Sequence, residues 1–590
     1  MDNPVLRFIT LAADMLPFMA TISPLIGAAS VAVVSRLNPL LARPTALSNA
    51  VLTLLLLLGA AVWHYDPHRV DQRGRADVSQ MEVSFGWLSE SSASEVIDKS
   101  PVRRGIDVRL SFGLDGLTLW PVVWLALAAW AAVLTPGPRV GELSYAYYIA
   151  LFLGEACLLA SLTSRDAVTS LISFEMSLPS LYFLIGRWGG RERRTAAGCF
   201  LIWQLVGCGL TLLGTTLIAV SWPWVRSDFD ARHNPIIFDT FGLVEGLQSM
   251  VARNEVAVQL WSDLAPWGCL LLVLGFAVRL PAFPFQAWYV TTLTAAPAGV
   301  AGLVAIALPQ VAFCGWVRFA MPLFVEQAVE LSWLLGVVAS VGALLAGLRA
   351  VSQSNLRQLV AALSMGWLAL ALLAMRLPSR EGLAGAWLLL QSQGLATAGL
   401  FWFIGLLQTR FSDGETDMLE GAAFHQPRLA GMLIALLVGS GVMSCGSAAG
   451  SFLALSLMTW ESTPFAACGI AATLLLTWSM IATVQRFLFW RGPSSRDAAR
   501  LTQPHQPIAR SSSVAVDGLS GSTESEGRGD LTLHEFVALA PLALSLIWLT
   551  LTPAVVLERG ESTLSRLLER TERRVETTAP SAPGPTEPRP

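Results

Sequence analysis

Runs of about 20 apolar residues, long enough to cross a hydrocarbon core of roughly 30 Å as helices, recur along this chain. In lipid, only helices and closed barrels satisfy their own backbone hydrogen bonds, and runs this long and continuous indicate helices. The sequence therefore predicts an all-α, polytopic membrane protein. A mean hydropathy of +0.56 and a charged fraction of 14% exclude an ordinary soluble domain, in which about 25% of the residues are charged.

The apolar pattern predicts about fourteen transmembrane helices. The expected spans are 8–34, 45–63, 116–135, 145–163, 166–186, 196–222, 267–289, 295–320, 331–350, 357–376, 383–407, 429–456, 463–488 and 534–556. The first span is too long for a removable signal peptide.

The short loops predict the orientation of the chain. Arginines concentrate in the loops after the first, fifth, ninth and thirteenth spans, and cytoplasmic loops carry an excess of basic residues. These loops share one face, so we expect that face to be cytoplasmic and both termini to be non-cytoplasmic. Arg376 and Arg380, on the opposite face, are the counter-evidence. The expected location is the inner (cytoplasmic) cell membrane.

Charge and cysteine content exclude several function classes. The formal net charge is −3 and no basic patch stands out, so we expect a lipid bilayer around the chain and no nucleic-acid partner. None of the seven cysteines forms a CxxC motif. Zinc and iron–sulfur sites need clustered thiolates, and we therefore expect no metal and no cofactor.

Two polar segments flank the last span. Residues 1–490 form the expected transmembrane domain, and residues 491–530, rich in Ser, Gly and Arg, are typical of a flexible cytoplasmic linker. The last span lies within 531–556. The charged segment 557–590 ends in "TTAPSAPGPTEPRP", a composition that predicts a polar, disordered tail.

Three ionisable residues lie deep within spans, and such residues are candidate functional sites. Glu155 and Glu175 each have apolar neighbours on both sides, and Arg279 is the one deep basic candidate. Each acid either carries a proton or is neutralised by a basic partner. A buried ion pair between an acid and Arg279 is expected, and it is either poised for function or only a structural tether.

Prolines mark a break beside the deep arginine. Pro281 and Pro284 remove backbone donors from the seventh span close to Arg279. Unwound backbone at membrane depth needs protein or water around it, and broken helices that carry charge mark ion pathways in transporters.

Several motifs together resemble the antiporter-like membrane chains of respiratory complex I, most of all the chain M (mitochondrial subunit 4) type. The resemblance covers roughly residues 105–460, within the proton-conducting membrane transporter superfamily. It rests on "GLDGLTL" (113–119), "GEACLLASLTSRDAVTSLISFEMSLPSLYFLIGRWGG" (154–190), "AVRLPAFPFQAWYVTTLTAAPAG" (277–299), "CGWVRFAMPLF" (314–324), "SNLRQLVAALS" (354–364) and "QGLATAGLF" (393–401).

The resemblance implies an antiporter-like fold with broken seventh and twelfth helices, and a proton pathway. Glu175 matches the family's glutamate of the fifth span, whereas Arg279 replaces the lysine that pairs with it. The family's central lysine falls on Gln310, a histidine of the eleventh span on Gln393, and an acid of the twelfth span on Ser451, in the glycine frame "GVMSCGSAAGSF".

These replacements leave an incomplete proton relay. Arginine does not release its proton in proteins, and the three other replacements do not titrate. We therefore weigh three hypotheses: a membrane-arm subunit of an NADH-quinone-oxidoreductase-like complex, which couples electron transfer to proton translocation without a redox site of its own; a subunit of a cation/proton antiporter or ion-uptake system; and a non-pumping assembly paralogue. Each requires other membrane subunits as partners.

Overall fold

The computed structural model describes residues 14–69, 80–89, 106–135, 144–224, 236–237, 255–376, 379–410, 426–458, 463–486, 530–531 and 533–578. Helices dominate these ranges, as expected. The helices of the N-terminal half are α1 (Leu16–Leu37), α2 (Ala42–Gly59), α3 (Leu119–Leu134), α4 (Ser144–Thr163), α5 (Ala167–Trp188), α6 (Arg193–Trp224), α7 (Glu255–Arg279), α8 (Ala287–Ala295) and α9 (Ala298–Gly315).

The remaining helices complete the bundle. They are α10 (Met321–Leu323), α11 (Val325–Ser352), α12 (Leu356–Met375), α13 (Arg380–Arg410), α14 (Pro427–Met458), α15 (Thr463–Val484), α16 (Leu533–Leu551) and α17 (Pro553–Thr578). A 3₁₀ turn (Pro39–Leu41) precedes α2, and π-helical turns follow α2 (Ala60–His64) and α9 (Trp316–Ala320).

The structure contains a small sheet, and its two longer strands lie between the second and third predicted spans, where the apolar pattern predicts no structure. Strand β1 (Gln80–Ser89) pairs antiparallel with β2 (Ile106–Leu114), with Val83 opposite Phe112. Strand β3 (Ile236–Ile237) pairs in parallel with β2. The sheet adds a strand layer to the otherwise helical fold, close to where α3 begins.

The number of crossings stays a prediction. Within the described ranges, ten helices are long and apolar enough to cross a membrane, or eleven if the bent pair of α16 and α17 counts as one span. Helix α3 and the apolar part of α14 (Pro427–Val442) are shorter than that criterion. The total of fourteen is therefore not confirmed, although the multi-pass architecture is.

Helices α9, α12 and α13 form the interior of the bundle. In Ala298–Leu323, which contains α9, and in Arg380–Gln408 of α13, all residues of the most apolar stretch of 18 residues are buried. In the corresponding stretches of α1, α5 and α6, about four residues in ten are buried. Because the interior helices face protein on all sides, their polar side chains must find partners within the bundle.

The predicted break in the seventh span is confirmed. Helix α7 ends at Arg279 and α8 begins at Ala287. Pro281 cannot donate to the carbonyl of Ala277, which instead accepts from the N–H of Ala282. That shift frees the carbonyl of Val278, and the indole Nε1 of Trp288 donates to it at 3.0 Å. The carbonyls of Ala277 and Val278, which the break takes out of the helical pattern, thus both have donors.

The predicted break in the twelfth span is wrong. Helix α14 runs without interruption from Pro427 to Met458, through the glycine frame at 441–452. That frame contains no proline, so every residue keeps its N–H donor. A glycine within a helix costs only about 1 kcal/mol relative to alanine, which neighbouring helices can offset.

The prediction of a disordered tail is wrong as far as Thr578. Helix α17 covers most of that segment and turns 75° away from α16. Its apolar side chains recur one or two turns apart, at Val556, Leu564 and Leu568, and are buried. Because charged residues lie between these positions, the composition of the segment does not reveal the apolar stripe. Residues 579–590 lie outside the described residues.

Helix α17 crosses the turn that precedes α3. A Cβ on Gly116 would collide with the carbonyl oxygen of Arg559, and the N–H of Gly116 donates to Thr563 Oγ1 at 3.2 Å. On the other side, a Cβ on Gly560 would meet the ring of Trp387. Two glycines thus allow this close approach of backbones.

Most of the predicted linker, residues 491–529, lies outside the described residues. Asp530, at its end, accepts from the backbone N–H groups of Arg428 and Leu429, each at 3.1 Å. These are first-turn donors of α14, so Asp530 connects the end of the linker to that helix.

Candidate functional site in the broken seventh helix

Glu175 and Arg279 form an ion pair within the membrane domain. Arg279 Nη2 lies 2.8 Å from Glu175 Oε1, and the side chains are 1% and 19% exposed. Glu175 comes from the middle of α5, and Arg279 is the last residue of α7. The structure therefore brings together the acid and the base that the sequence singles out, at the break.

The local fold explains how Arg279 reaches this position. Helical side chains point back toward the N-terminus of their helix, so Arg279 extends along α7, away from the break. Its Nη2 also lies 3.4 Å from Thr211 Oγ1 on α6, and its guanidinium stacks on the ring of Phe174 at 4.4 Å. Helices α6 and α7 approach closely because Gly207 and Gly275 face each other.

The ion pair leaves two buried polar atoms without a protein partner. Arg279 Nε and Glu175 Oε2 make no hydrogen bond within the described residues. A cavity of about 40 Å³ adjoins Arg279. Its lining also includes the hydroxyl side chains of Ser170, Thr211 and Thr215, among apolar residues of α5, α6, α7 and α9.

Glu155 is not part of this pair. Its side chain is fully buried in α4, and both carboxyl oxygens lack a partner among the described residues. An ionised carboxylate without a partner is very costly in such a place. The sequence left open whether Glu155 carries a proton or is neutralised by a basic partner. No basic partner is observed in the described part of the chain, and a protonated Glu155 fits this environment.

Gln310 and Gln393 lie in the interior and belong to two separate sets of uncharged hydrogen bonds. Gln391 Nε2 donates to Gln310 Oε1 at 3.4 Å. Gln393 Nε2 donates to the hydroxyl oxygen of Ser364, which lies 2.9 Å from the hydroxyl of Tyr289. All five side chains are almost completely buried. Sequence reasoning did not identify Gln391, Ser364 or Tyr289.

Only the backbone of Ser451 is described by the structure. Its backbone belongs to α14, but its side chain lies outside the described residues. Pro281 and Pro284 occupy the break itself, as expected.

Sequence reasoning missed a second charged cluster. Asp115, in the turn before α3, accepts from Arg165 Nη1 at 3.1 Å and from Arg318 Nε at 3.0 Å. Thr118 donates its hydroxyl to the same carboxylate at 2.7 Å. The three charged side chains are buried. The available signal was the acid in "GLDGLTL", together with arginines at two distant span ends.

The two arginines keep Asp115 ionised. Burial alone would raise the pKa of Asp115, but the charges of Arg318 and Arg165 outweigh it and lower the pKa to about 2. The cluster is therefore charged throughout the physiological pH range and fixes the π-helical end of α9 against the turn before α3.

Comparison with known proteins adds the family context. Residues 164–477 match the family described as NADH:quinone oxidoreductase/Mrp antiporter, transmembrane. The matched range covers more than half of the chain and includes Glu175, Arg279, Gln310 and Gln393. The Asp115 turn and α17 lie outside it.

The chain is also similar to curated proteins along most of their length. NADH-quinone oxidoreductase subunit 13 of Thermus thermophilus is 26% identical over 68% of this chain and 80% of that protein. NADH-quinone oxidoreductase subunit M of Rickettsia prowazekii is 23% identical over 78% of this chain and 84% of that protein.

Solved structures share the fold. A chain of respiratory complex I from Thermus thermophilus, solved with bound NADH, matches with a TM-score of 0.71 and 20% identity, over 94% of this chain and 99% of that chain. A chain of the Mrp complex from Dietzia matches with a TM-score of 0.68 and 16% identity, over 95% and 99%. At these identities the matches establish the fold alone.

Proposed function

Because the chain belongs to the NADH:quinone oxidoreductase/Mrp antiporter transmembrane family, we propose that it is a membrane-arm subunit of an NADH-quinone-oxidoreductase-like respiratory complex. Its task is to help couple electron transfer to proton translocation. The observation that carries this proposal is the Glu175–Arg279 ion pair, at 2.8 Å, where the seventh helix breaks within this fold.

The partners follow from the assembly of the relatives. The related proteins are subunits of multisubunit complexes, so other membrane subunits accompany this chain. Electron transfer belongs to those partners, and the quinone does not have to contact this subunit.

The roles of the site residues are part of the proposal. Glu175 is the group that takes up and releases a proton, and Arg279 supplies a permanent positive charge beside it. Glu155, on α4, is a second carboxyl group of the proton pathway and carries a proton. Gln310, Gln393 and Ser451 stand at positions of the family's relay but do not titrate themselves, so a proton that passes there moves along hydroxyl groups and water.

The uncharged interior favours one alternative in particular. The amide pair of Gln310 and Gln391 lies where a titratable relay needs a charge, and it supports a non-pumping subunit kept for assembly or for conformational coupling. A cation/proton antiporter subunit needs the same titratable groups, so the interior gives it no added support.

We place the chain in the inner cell membrane with both termini on the non-cytoplasmic side. The arginine-rich loops support this orientation, among them the one after α5 with Arg187, Arg191 and Arg193. A cysteine scan of these loops in sealed vesicles of known sidedness tests it, because impermeant reagents modify only the face they can reach.

Purification with native partners is the decisive experiment. A tag on this chain should recover other membrane subunits together with NADH oxidation coupled to quinone reduction. Recovery of a complete membrane assembly without that activity would contradict the proposal and support one of the other two functions. The matched control is a Glu175→Gln variant, which should still assemble with the same partners.

A further inference from the structure

Arg279 creates a problem of charge balance that a lysine would not. When a glutamate beside a lysine takes up a proton, the lysine can release its own and the site stays neutral. Arginine keeps its proton in proteins. Protonation of Glu175 therefore leaves the buried guanidinium of Arg279 without a counter-charge, in a region where an unpaired charge is strongly unfavourable.

The cavity beside Arg279 offers a place for another counter-charge. Its volume is about 40 Å³, room for roughly three water molecules. A small monovalent anion, slightly larger than one water molecule, fits the same space. The cavity reaches Ala167 and Leu323, which lie where α5 begins and α10 ends, so its far end is near one end of the bundle.

The donors around the cavity are those that bind anions. Arg279 Nε, on a side chain that is 1% exposed, has an N–H without a partner in the described part of the chain. The hydroxyl groups of Ser170, Thr211 and Thr215 line the walls. They donate to backbone carbonyls now, and a hydroxyl can rotate to donate to an anion instead. Among the described lining residues no carboxylate appears.

We propose that this cavity is a binding site for a small monovalent anion, with chloride as the model, which occupies it when Glu175 is protonated. The anion then replaces the carboxylate as counter-charge of Arg279. When Glu175 releases its proton, the carboxylate returns to Arg279 and the anion leaves. One proton and one anion enter and leave together, so the charge of the site is constant.

This inference rests on the proposed proton exchange at Glu175 but not on the identity of the complex. Anion binding by the purified full-length chain requires no partner subunit. A failure to recover NADH oxidation would therefore leave the anion site intact, and the absence of anion binding would leave the assembly proposal intact.

The test is chloride binding to the purified full-length chain in nanodiscs, measured from the line width of the chloride-35 NMR signal. Glu175→Gln mimics the protonated glutamate, so this variant should bind chloride at pH 8 at least about tenfold more tightly than the wild type, equivalent to about 1.4 kcal/mol. Adding Arg279→Gln should remove that gain. Equal chloride binding by Glu175→Gln and by the double variant would overturn the proposal.

A matched pair of threonine variants locates the site. Thr215 and Thr473 both donate to the carbonyl four residues earlier, but only Thr215 lines the cavity. In the Glu175→Gln background, Thr215→Val should weaken chloride binding several-fold and Thr473→Val should not. Equal effects of the two would contradict the location. If Glu175→Gln fails to fold, wild-type chain compared at pH 5 and pH 8 replaces it, and no tighter binding at pH 5 would refute the site.

Discussion

Arg279 Nη2 approaches Glu175 Oε1 to 2.8 Å and thereby ties the last residue of α7 to the middle of α5. Neither side chain has another partner of opposite charge among the contacts described above. The stability of the broken helix should therefore depend on this pair.

Removal of one partner should cost more than removal of both charges. Arg279→Ala leaves Glu175 without its cation, so the acid must stay unpaired or take up a proton, and the free energy of unfolding should fall by up to about 3–5 kcal/mol. The double variant Glu175→Gln with Arg279→Gln should recover part of that loss, because two amides can hydrogen-bond at this distance. Thermal unfolding of the purified chain measures both, and the absence of any recovery argues against the pair.

Gln310→Leu should change stability but not proton transport. The substitution leaves Gln391 Nε2 without its acceptor, which costs about 1–3 kcal/mol. Since an amide does not titrate, the ratio of protons moved to electrons transferred by the assembled complex should stay the same. That ratio is measured in inside-out membrane vesicles with NADH. A lower ratio at equal NADH oxidation would show that Gln310 takes part in the pathway.

Asp115→Asn should be among the most damaging single changes outside the ion pair. It removes the carboxylate that Arg165 and Arg318 share, and breaking a buried ion pair by removing one partner costs about 3–5 kcal/mol. Because the pKa of Asp115 is about 2, the effect should be the same at pH 6 and pH 8. Glu326→Gln, at an exposed acid, is the control and should change little.

Gly116→Ala should displace α17 from the bundle. The added methyl group collides with the carbonyl of Arg559, and the helix must shift to admit it. We expect faster cleavage of α17 by trypsin in membranes, at unchanged cleavage elsewhere. Gly431→Ala is a suitable control because a Cβ there meets nothing within 4 Å. Equal protection of α17 in both variants would contradict the close approach.

The contact between Asp530 and α14 should weaken in acid. Burial tends to raise the pKa of Asp530, but N–H groups of Arg428, Leu531 and Leu429 donate to the carboxylate and lower its pKa. A depressed carboxyl pKa contributes stability that is present above the ordinary value of about 3.9 and is lost as the pH falls through the lower value. Asp530→Ala should thus cost about 1 kcal/mol at pH 7, and that cost should shrink progressively as the pH falls below about 3.9.

The sequence predicted the ion pair because few charges lie deep in the spans and because prolines mark the break beside one of them. The Asp115 cluster escaped prediction because its members lie at span ends, where charges are common, and far apart in the chain. Contacts between such ends depend on how the helices pack, which periodicity does not reveal.

Two errors have separate physical causes. The twelfth span was expected to break by resemblance, but glycine and serine alone leave all backbone donors in place, and α14 stays whole. The charged composition of the tail predicts disorder, whereas the buried stripe of Val556, Leu564 and Leu568 makes α17 fold against the bundle.

The ion pair also has a consequence for biogenesis. Glu175 precedes Arg279 by 104 residues, so the ribosome delivers the acid to the membrane well before the base. After α5 enters the membrane, Glu175 must therefore be protonated until α7 is inserted. Arg279, on α7, is inserted as a cation because arginine keeps its proton. The positive charge of Arg279 then favours release of the proton of Glu175 to water, and the resulting carboxylate pairs with Arg279 as α7 inserts.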